Sequence, residues 1–140
     1  MKPKSSSRSL HRCIFAAVSV VVLQLLPAPA NDGALNGWRF FETRTLDWMT
    51  NTLVQGQDRV LLLDTAFAAG FMRDPVDMHG KKSRALFGPS HFAFGQPGAG
   101  GSHAFADPEH GLSFAYVMNK MEPGVLPGPK ALRLVEALYE

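Results

Sequence analysis

Apolar and polar positions alternate in short stretches that change period along the chain. Thr43 to Leu53 sets Leu46, Met49 and Leu53 at helical spacing, which predicts a short amphipathic helix closed off by Gly56. Arg59 to Leu63 and Ala66 to Met72 are β-prone apolar runs and predict two strands. Arg73 to Pro89 is charged and holds Gly80, Lys81, Lys82 and Gly88, so it reads as a surface loop with a solvated basic tip. His91 to Phe94 opens a strand, and Ser102 to Ala106 is compatible with another. Asp107-Pro108-Glu109-His110-Gly111 then predicts a hairpin with a bulged turn. In the strand that follows, Leu112, Phe114, Tyr116 and Met118 share one face; Ser113, Ala115, Val117 and Asn119 share the other. The small residues of that second face predict a layer packed closely against it. Pro123 to Pro129 is a rigid connector into a final helix starting at Pro129 or Lys130. Its expected buried side is Ala131, Leu134, Val135 and Leu138.

The N-terminal thirty residues follow a different pattern. Residues 2–12 are basic and serine-rich, and Cys13 to Leu26 is apolar except for Ser19 and Gln24. Pro27 and the small-residue exit Ala28-Pro29-Ala30 follow. Together these predict a secretory signal peptide over 1–30, cleaved after Ala30, with an uncleaved membrane anchor as the alternative. The expected location is therefore secreted or extracytoplasmic, or membrane-anchored if the signal stays. Residues 31–42 are expected to be a linker and 43–140 the folded domain. The chain's 140 residues, 46% hydrophobic and 19% charged, suit one packed domain. The leader takes four of the 14 basic groups, leaving 10 against 12 acids in the rest, which excludes a basic nucleic-acid surface. A single cysteine, Cys13, excludes an internal disulfide and a multi-cysteine zinc site.

Gly95 to Ser102 holds four glycines in eight residues. No Gly-Lys-Ser/Thr follows, so it is not a phosphate loop. His103 stands where a dinucleotide fingerprint needs its third glycine. Ala104 breaks the Gly-x-Ser-x-Gly elbow around Ser102. What remains is a strand whose backbone must closely approach a ligand or another backbone.

Phe94-Gly95-Gln96-Pro97-Gly98-Ala99-Gly100-Gly101-Ser102, Phe105-Ala106-Asp107-Pro108-Glu109, Gly111-Leu112 and Phe114-Ala115-Tyr116-Val117-Met118-Asn119 resemble the C-terminal part of the serine β-lactamase-related family, nearest its class C-like carboxylesterase branch. Asp58-Arg59-Val60-Leu61 and Gly70-Phe71-Met72 fit the same branch, so the resemblance covers about residues 43–140. It implies an α+β class: an antiparallel sheet packed against helices, including a C-terminal one, as in part of the penicillin-recognising fold. It also implies a serine hydrolase acting on ester or amide substrates without a cofactor. The family's third motif maps onto Gln96-Pro97-Gly98. Gly98 would let substrate lie along the strand, the Ala99 N–H would be one oxyanion-hole donor, and Ser102 would cap the strand end or line the cleft.

Two departures limit what the resemblance implies. Position 96 holds a neutral glutamine where the family has a lysine or histidine, so it can hydrogen-bond but cannot titrate. No serine is followed three residues later by lysine, and neither Tyr116 nor Tyr139 starts a Tyr-x-Asn element. An acyl-enzyme step then has no nucleophile or proton acceptor in this sequence, so no catalytic residue is assigned. The resemblance thus implies the last portion of a longer enzyme, whether a truncated product, an incomplete gene model or a degenerate homologue, that is inactive alone. The alternative is a non-catalytic exported module that binds peptide or protein through its sheet edge. Exposed edges also predict self-association.

Other chemistry is thinly represented. His79, His91, His103 and His110 form no H-x-x-x-H pair, and although His103 and His110 flank a turn with Asp107 and Glu109, no metal site is expected. Trp38 and Trp48 suit stacking on a sugar or base, but Trp48 in the amphipathic segment suits core packing better. Asp58 and Arg59 read as a surface turn.

Overall fold

A computed structural model describes residues 27–140. The expected signal segment lies outside the described residues except for its exit, Pro27–Ala30. That exit forms a helical turn, α1 (Pro27–Ala30), with Ala28 and Ala30 buried. A two-stranded hairpin follows, β1 (Ala34–Leu35) and β2 (Trp38–Arg39), where a linker was expected. Its two-residue turn is Asn36-Gly37, both with positive φ, the combination that matches strand twist. Trp38 on this hairpin is 75% exposed.

Helix α2 (Thr43–Thr50) forms as the spacing predicts, but it stops at Thr50. Leu46 is its buried residue; Leu53 lies beyond the helix and is exposed. Trp48 is 62% exposed, so it does not supply the packing expected of it.

Six strands form one antiparallel sheet in sequential order: β3 (Val54–Asp58), β4 (Leu63–Phe67), β5 (Met72–Arg73), β6 (Phe94–Pro97), β7 (His103–Asp107) and β8 (Leu112–Tyr116). The first predicted strand is displaced. Arg59 to Leu62 is a turn, because Asp58 Oδ1 accepts the N–H groups of Val60 (2.7 Å) and Leu61 (2.9 Å) and ends the strand there. Apolar Val60 and Leu62 are consequently on the surface. The second predicted strand is split by a turn in which the Ala68 N–H donates to the Phe71 carbonyl.

The largest correction concerns residues 73–89. They form little regular structure, and the tip at 77–81 is exposed as expected, but the segment as a whole is not a solvated loop. Leu86 and Phe87 are buried, and Asp74 holds them by accepting both their N–H groups at 3.0 and 3.2 Å. Lys82, expected at a solvated tip, reaches inward to Asp74 Oδ2 (2.8 Å) and to the carbonyls of Gly88 and Ser90. A buried carboxylate requires such partners, and the chain bends to provide them.

The sheet carries apolar residues on both faces. On one, Met72, Leu86, Phe87, Ala93, Phe105 and Val135 form the main core. Helix α3 (Pro129–Glu136) packs here through Leu132 and Val135, and its Ala131 is also buried. Leu134 and Leu138, expected on the buried side, are 44% and 41% exposed; Leu132 and Tyr139 take their place. On the other face, Ala30 joins Phe94, Ala106, Phe71 and Ala104. α1 lies here against β7 and β8, but the close layer expected over the small face of β8 does not form among the described residues: Ser113, Val117 and Asn119 are exposed and Ala115 is half-buried. Among the described residues, no helix is long and apolar enough to cross a membrane.

Candidate active-site strand

The glycine-rich segment is the end of β6 and its turn into β7. Register runs Phe94↔Ala106, Gly95↔Phe105, Gln96↔Ala104 and Pro97↔His103. The Gly98 N–H then donates to the Ser102 carbonyl (2.8 Å), and the Gly101 N–H to the Gly98 carbonyl (3.0 Å). Gly98 therefore belongs to the set of residues whose backbone groups face β7. Alternation turns those of Gly95 and Pro97 the other way, toward β5; Ala99 lies past the end of β6, in the turn that the Gly101 N–H closes on the Gly98 carbonyl.

β5 meets β6 only at Met72↔Gly95. Beyond Gly95 the outer edge of β6 has no strand neighbour among the described residues. Proline at 97 leaves no N–H unpaired on that edge. Nothing among the described residues accepts from the Ala99 N–H, and both Gln96 and Ala99 are exposed. Gln96 Nε2 reaches only the Pro97 carbonyl, at 3.4 Å. Pro97 is buried, and Gly98 and Ser102 are half-buried.

The glycines serve the backbone here. A Cβ at Gly95 would sit 2.2 Å from the Ala104 carbonyl oxygen, so β7 itself demands glycine. A Cβ at Gly98 would sit 3.2 Å from the Ser102 Cβ, so the space it leaves open is shared with the turn. Gly100 and Gly101 take positive φ, and side chains there would strike Met121 and Met118. The Gly100 carbonyl and N–H are tied to Glu122 and Gly124, which fixes the turn against the connector to α3.

Neither of two cavities in the described region is lined by Gln96, Pro97, Gly98, Ala99 or Ser102. The histidines also separate. His103 is buried in an aromatic stack with Phe87 and bonded to the Leu86 carbonyl at 2.7 Å, and burial holds its pKa below the usual value. His110 Nδ1 instead contacts Asp107 Oδ2 at 2.8 Å.

The sequence did not reveal the role of Asp107. It is fully buried at the end of β7, where Oδ1 accepts the Glu109 N–H and Oδ2 accepts from Tyr139 Oη (2.7 Å) and from His110. Burial raises its pKa, but hydrogen bonds from Tyr139, Ser90 and His110 outweigh that and hold it below the usual carboxylate range. Burial and Asp107 together push the Tyr139 hydroxyl up. Ligand atoms of Asp107, Glu109 and His110 lie within 4.8 Å of one another, but the Asp107 oxygens are already engaged in joining the turn to the C-terminus. Asp-Pro marked the turn in sequence; nothing there marked Tyr139, 32 residues away.

A family model described as beta-lactamase matches residues 3–138. The chain belongs to the beta-lactamase family. Three solved structures share its fold over most of its length. A penicillin-binding protein homologue from Caulobacter crescentus is 37% identical, with a TM-score of 0.74 over 84% of this chain. A family VIII carboxylesterase is 31% identical, with a TM-score of 0.75 over 84%. EstA from Arthrobacter nitroguajacolicus Rue61a is 31% identical, with a TM-score of 0.57 over 80%. In each comparison this beta-lactamase-family chain spans 30% of the other chain's length. No curated protein matches it. The family, and the α+β fold expected from it, are therefore as the resemblance implied.

Proposed function

We propose that this chain supplies the substrate-facing strand of a β-lactamase-like or esterase-like serine hydrolase site. Residues 96–99 form its edge and the Ala99 N–H is one oxyanion donor. The observation that carries the reading is the departure of β5 after Gly95, which leaves the β6 edge open where the family's third motif maps. Such an edge can align an ester or amide carbonyl by backbone hydrogen bonds, and an N–H aimed at a developing oxyanion stabilises the transition state. Gln96 orients substrate without moving a proton. The nucleophile and its base are not in this sequence, so the chain is inactive alone. Its opposing cleft wall would come from the part of the fold that the relatives have and this chain does not span. Export by the N-terminal segment is part of the same proposal.

A fluorophosphonate probe should label no serine of this chain, and nitrocefin and p-nitrophenyl esters should not turn over. Residues 94–119 grafted into the family VIII carboxylesterase should retain ester hydrolysis. Ala99→Pro in that graft should lower kcat by about 10²–10³, the usual effect of losing one oxyanion donor. Labelling of Ser102, or a graft indifferent to Ala99→Pro, overturns the reading.

A second reading is a binding module that pairs through its edge, with self-association as the simplest case. What favours it is β3, whose outer edge has no neighbouring strand among the described residues and whose residues 54–57 are all exposed. Concentration-dependent sedimentation, abolished by Gln57→Pro, would support it; a monomer at all concentrations would exclude it.

A further inference from the structure

β5 places Arg73 at the boundary of two cavities, about 240 and 390 Å³, and its side chain lines both. The smaller one is walled by Thr52, Gln55, Asp74, Lys82 and His91 around Arg73. Most of its polar groups are already engaged. Lys82 donates to Asp74 and to two carbonyls, which uses all the donors of an ammonium. Asp74 also accepts from two backbone N–H groups. Gln55 is bonded in both directions to the Val76 backbone, at 2.8 and 3.1 Å.

Arg73 is different. Nη1 donates to the Thr50 carbonyl (3.2 Å) and Nη2 to the His91 carbonyl, both neutral acceptors. Among the described residues, no carboxylate lies within ion-pair distance of its guanidinium, and nothing accepts from Nε. Burial lowers its pKa, offset in part by the charge of Asp74. With Lys82 balanced by Asp74, the cavity keeps the positive charge of Arg73. A partly desolvated guanidinium held by neutral carbonyls presents its remaining planar N–H groups to a carboxylate, the geometry it binds best. Val76 and Ala93 complete the lining.

We propose that the smaller cavity binds a short-chain carboxylate, with Arg73 as its counter-charge and Thr52 and His91 as flanking polar groups. This site is built on the start of β3, on β5 and on the loop before β6, independently of residues 96–99.

The test is titration of the intact chain with butyrate, followed by amide NMR shifts and calorimetry, with butyramide as the neutral isostere and inorganic phosphate as the tetrahedral anion. Butyrate should bind saturably, shifting Thr52, Arg73 and His91, and butyramide should bind at least about tenfold more weakly. Arg73→Gln should weaken butyrate by about tenfold or more, the scale expected for losing a charge-assisted hydrogen bond. If R73Q does not fold, R73K decides: it keeps the charge, loses the planar fork, and should bind butyrate more weakly than the parent chain. Unsaturable shifts, equal binding of butyramide, tighter binding of phosphate, or unchanged affinity in the folded variant would each overturn the proposal.

Discussion

Asp107→Asn is the substitution that best tests how this sheet is tied to its C-terminus. The carboxylate is fully buried and accepts from the Glu109 N–H, from Tyr139 Oη, from His110 Nδ1 and from the Ser90 hydroxyl. An asparagine carbonyl can still take the Glu109 N–H at Oδ1. Its amide nitrogen then replaces Oδ2 and faces two groups that had been donating. Each hydrogen bond to a charged acceptor contributes about 1.5–3 kcal/mol. The Tyr139 hydroxyl can rotate and His110 can change tautomer to accept from the amide, recovering part of the loss. The expected net cost is about 2–4 kcal/mol at pH 7, a large fraction of a stability of about 5–15 kcal/mol. The pH dependence adds a second readout. The folded Asp107 carboxyl titrates below its usual value, so its contribution is complete above about pH 3.9 and is lost as pH falls through the folded pKa. Urea unfolding of D107N and the parent chain at pH 7 and down to pH 3 measures both effects. The gap should stay constant from neutral pH to about pH 4 and narrow below that. A cost below about 0.5 kcal/mol at pH 7, or a gap independent of pH, would refute the idea that an ionised Asp107 holds the turn to Tyr139.

Further outcomes follow from the same kind of accounting. Lys82→Met leaves the buried Asp74 carboxylate without its ion pair and should cost about 3 kcal/mol in urea unfolding, since breaking a buried pair strands the remaining charge. Gly95→Ala would force a methyl group to within 2.2 Å of the Ala104 carbonyl and should cost about 3 kcal/mol or more, read as a lower Tm. Burial lowers the His103 pKa, so NMR should show its ring titrating below the usual histidine value of about 6.5; because the unfolded chain takes up that proton first, stability should fall as pH drops below about 6.5. Leu132→Ala should cost about 2 kcal/mol and Leu138→Ala less than about 1 kcal/mol, reversing the order that simple helical spacing suggests.

The open edge of β6 also shows why the candidate strand is recognisable while its cleft is not. The strand needs only local features: a proline with no N–H on the outer edge, a glycine at 95 for close contact with β7, and glycines at 100 and 101 for the turn. A cleft needs a second wall, and this chain spans 30% of the relatives' length.

The sequence by itself determined the elements whose signals are local. The Asp107–Gly111 hairpin, the alternating faces of β8, the proline-started α3 and the glycine-rich end of β6 all follow from turn chemistry and side-chain period, which act over a few residues. Even the missed β1–β2 hairpin carried its Asn-Gly signal in plain view. The tertiary structure alone decided what depends on partners distant in sequence. It turned Lys82 inward to Asp74, made Asp107 the anchor for Tyr139, buried Leu86 and Phe87 in an irregular segment, and rotated α3 onto Leu132 instead of Leu134. A charged or apolar residue looks the same in sequence whether it meets water or a partner, and only the folded chain brings that partner within bonding distance.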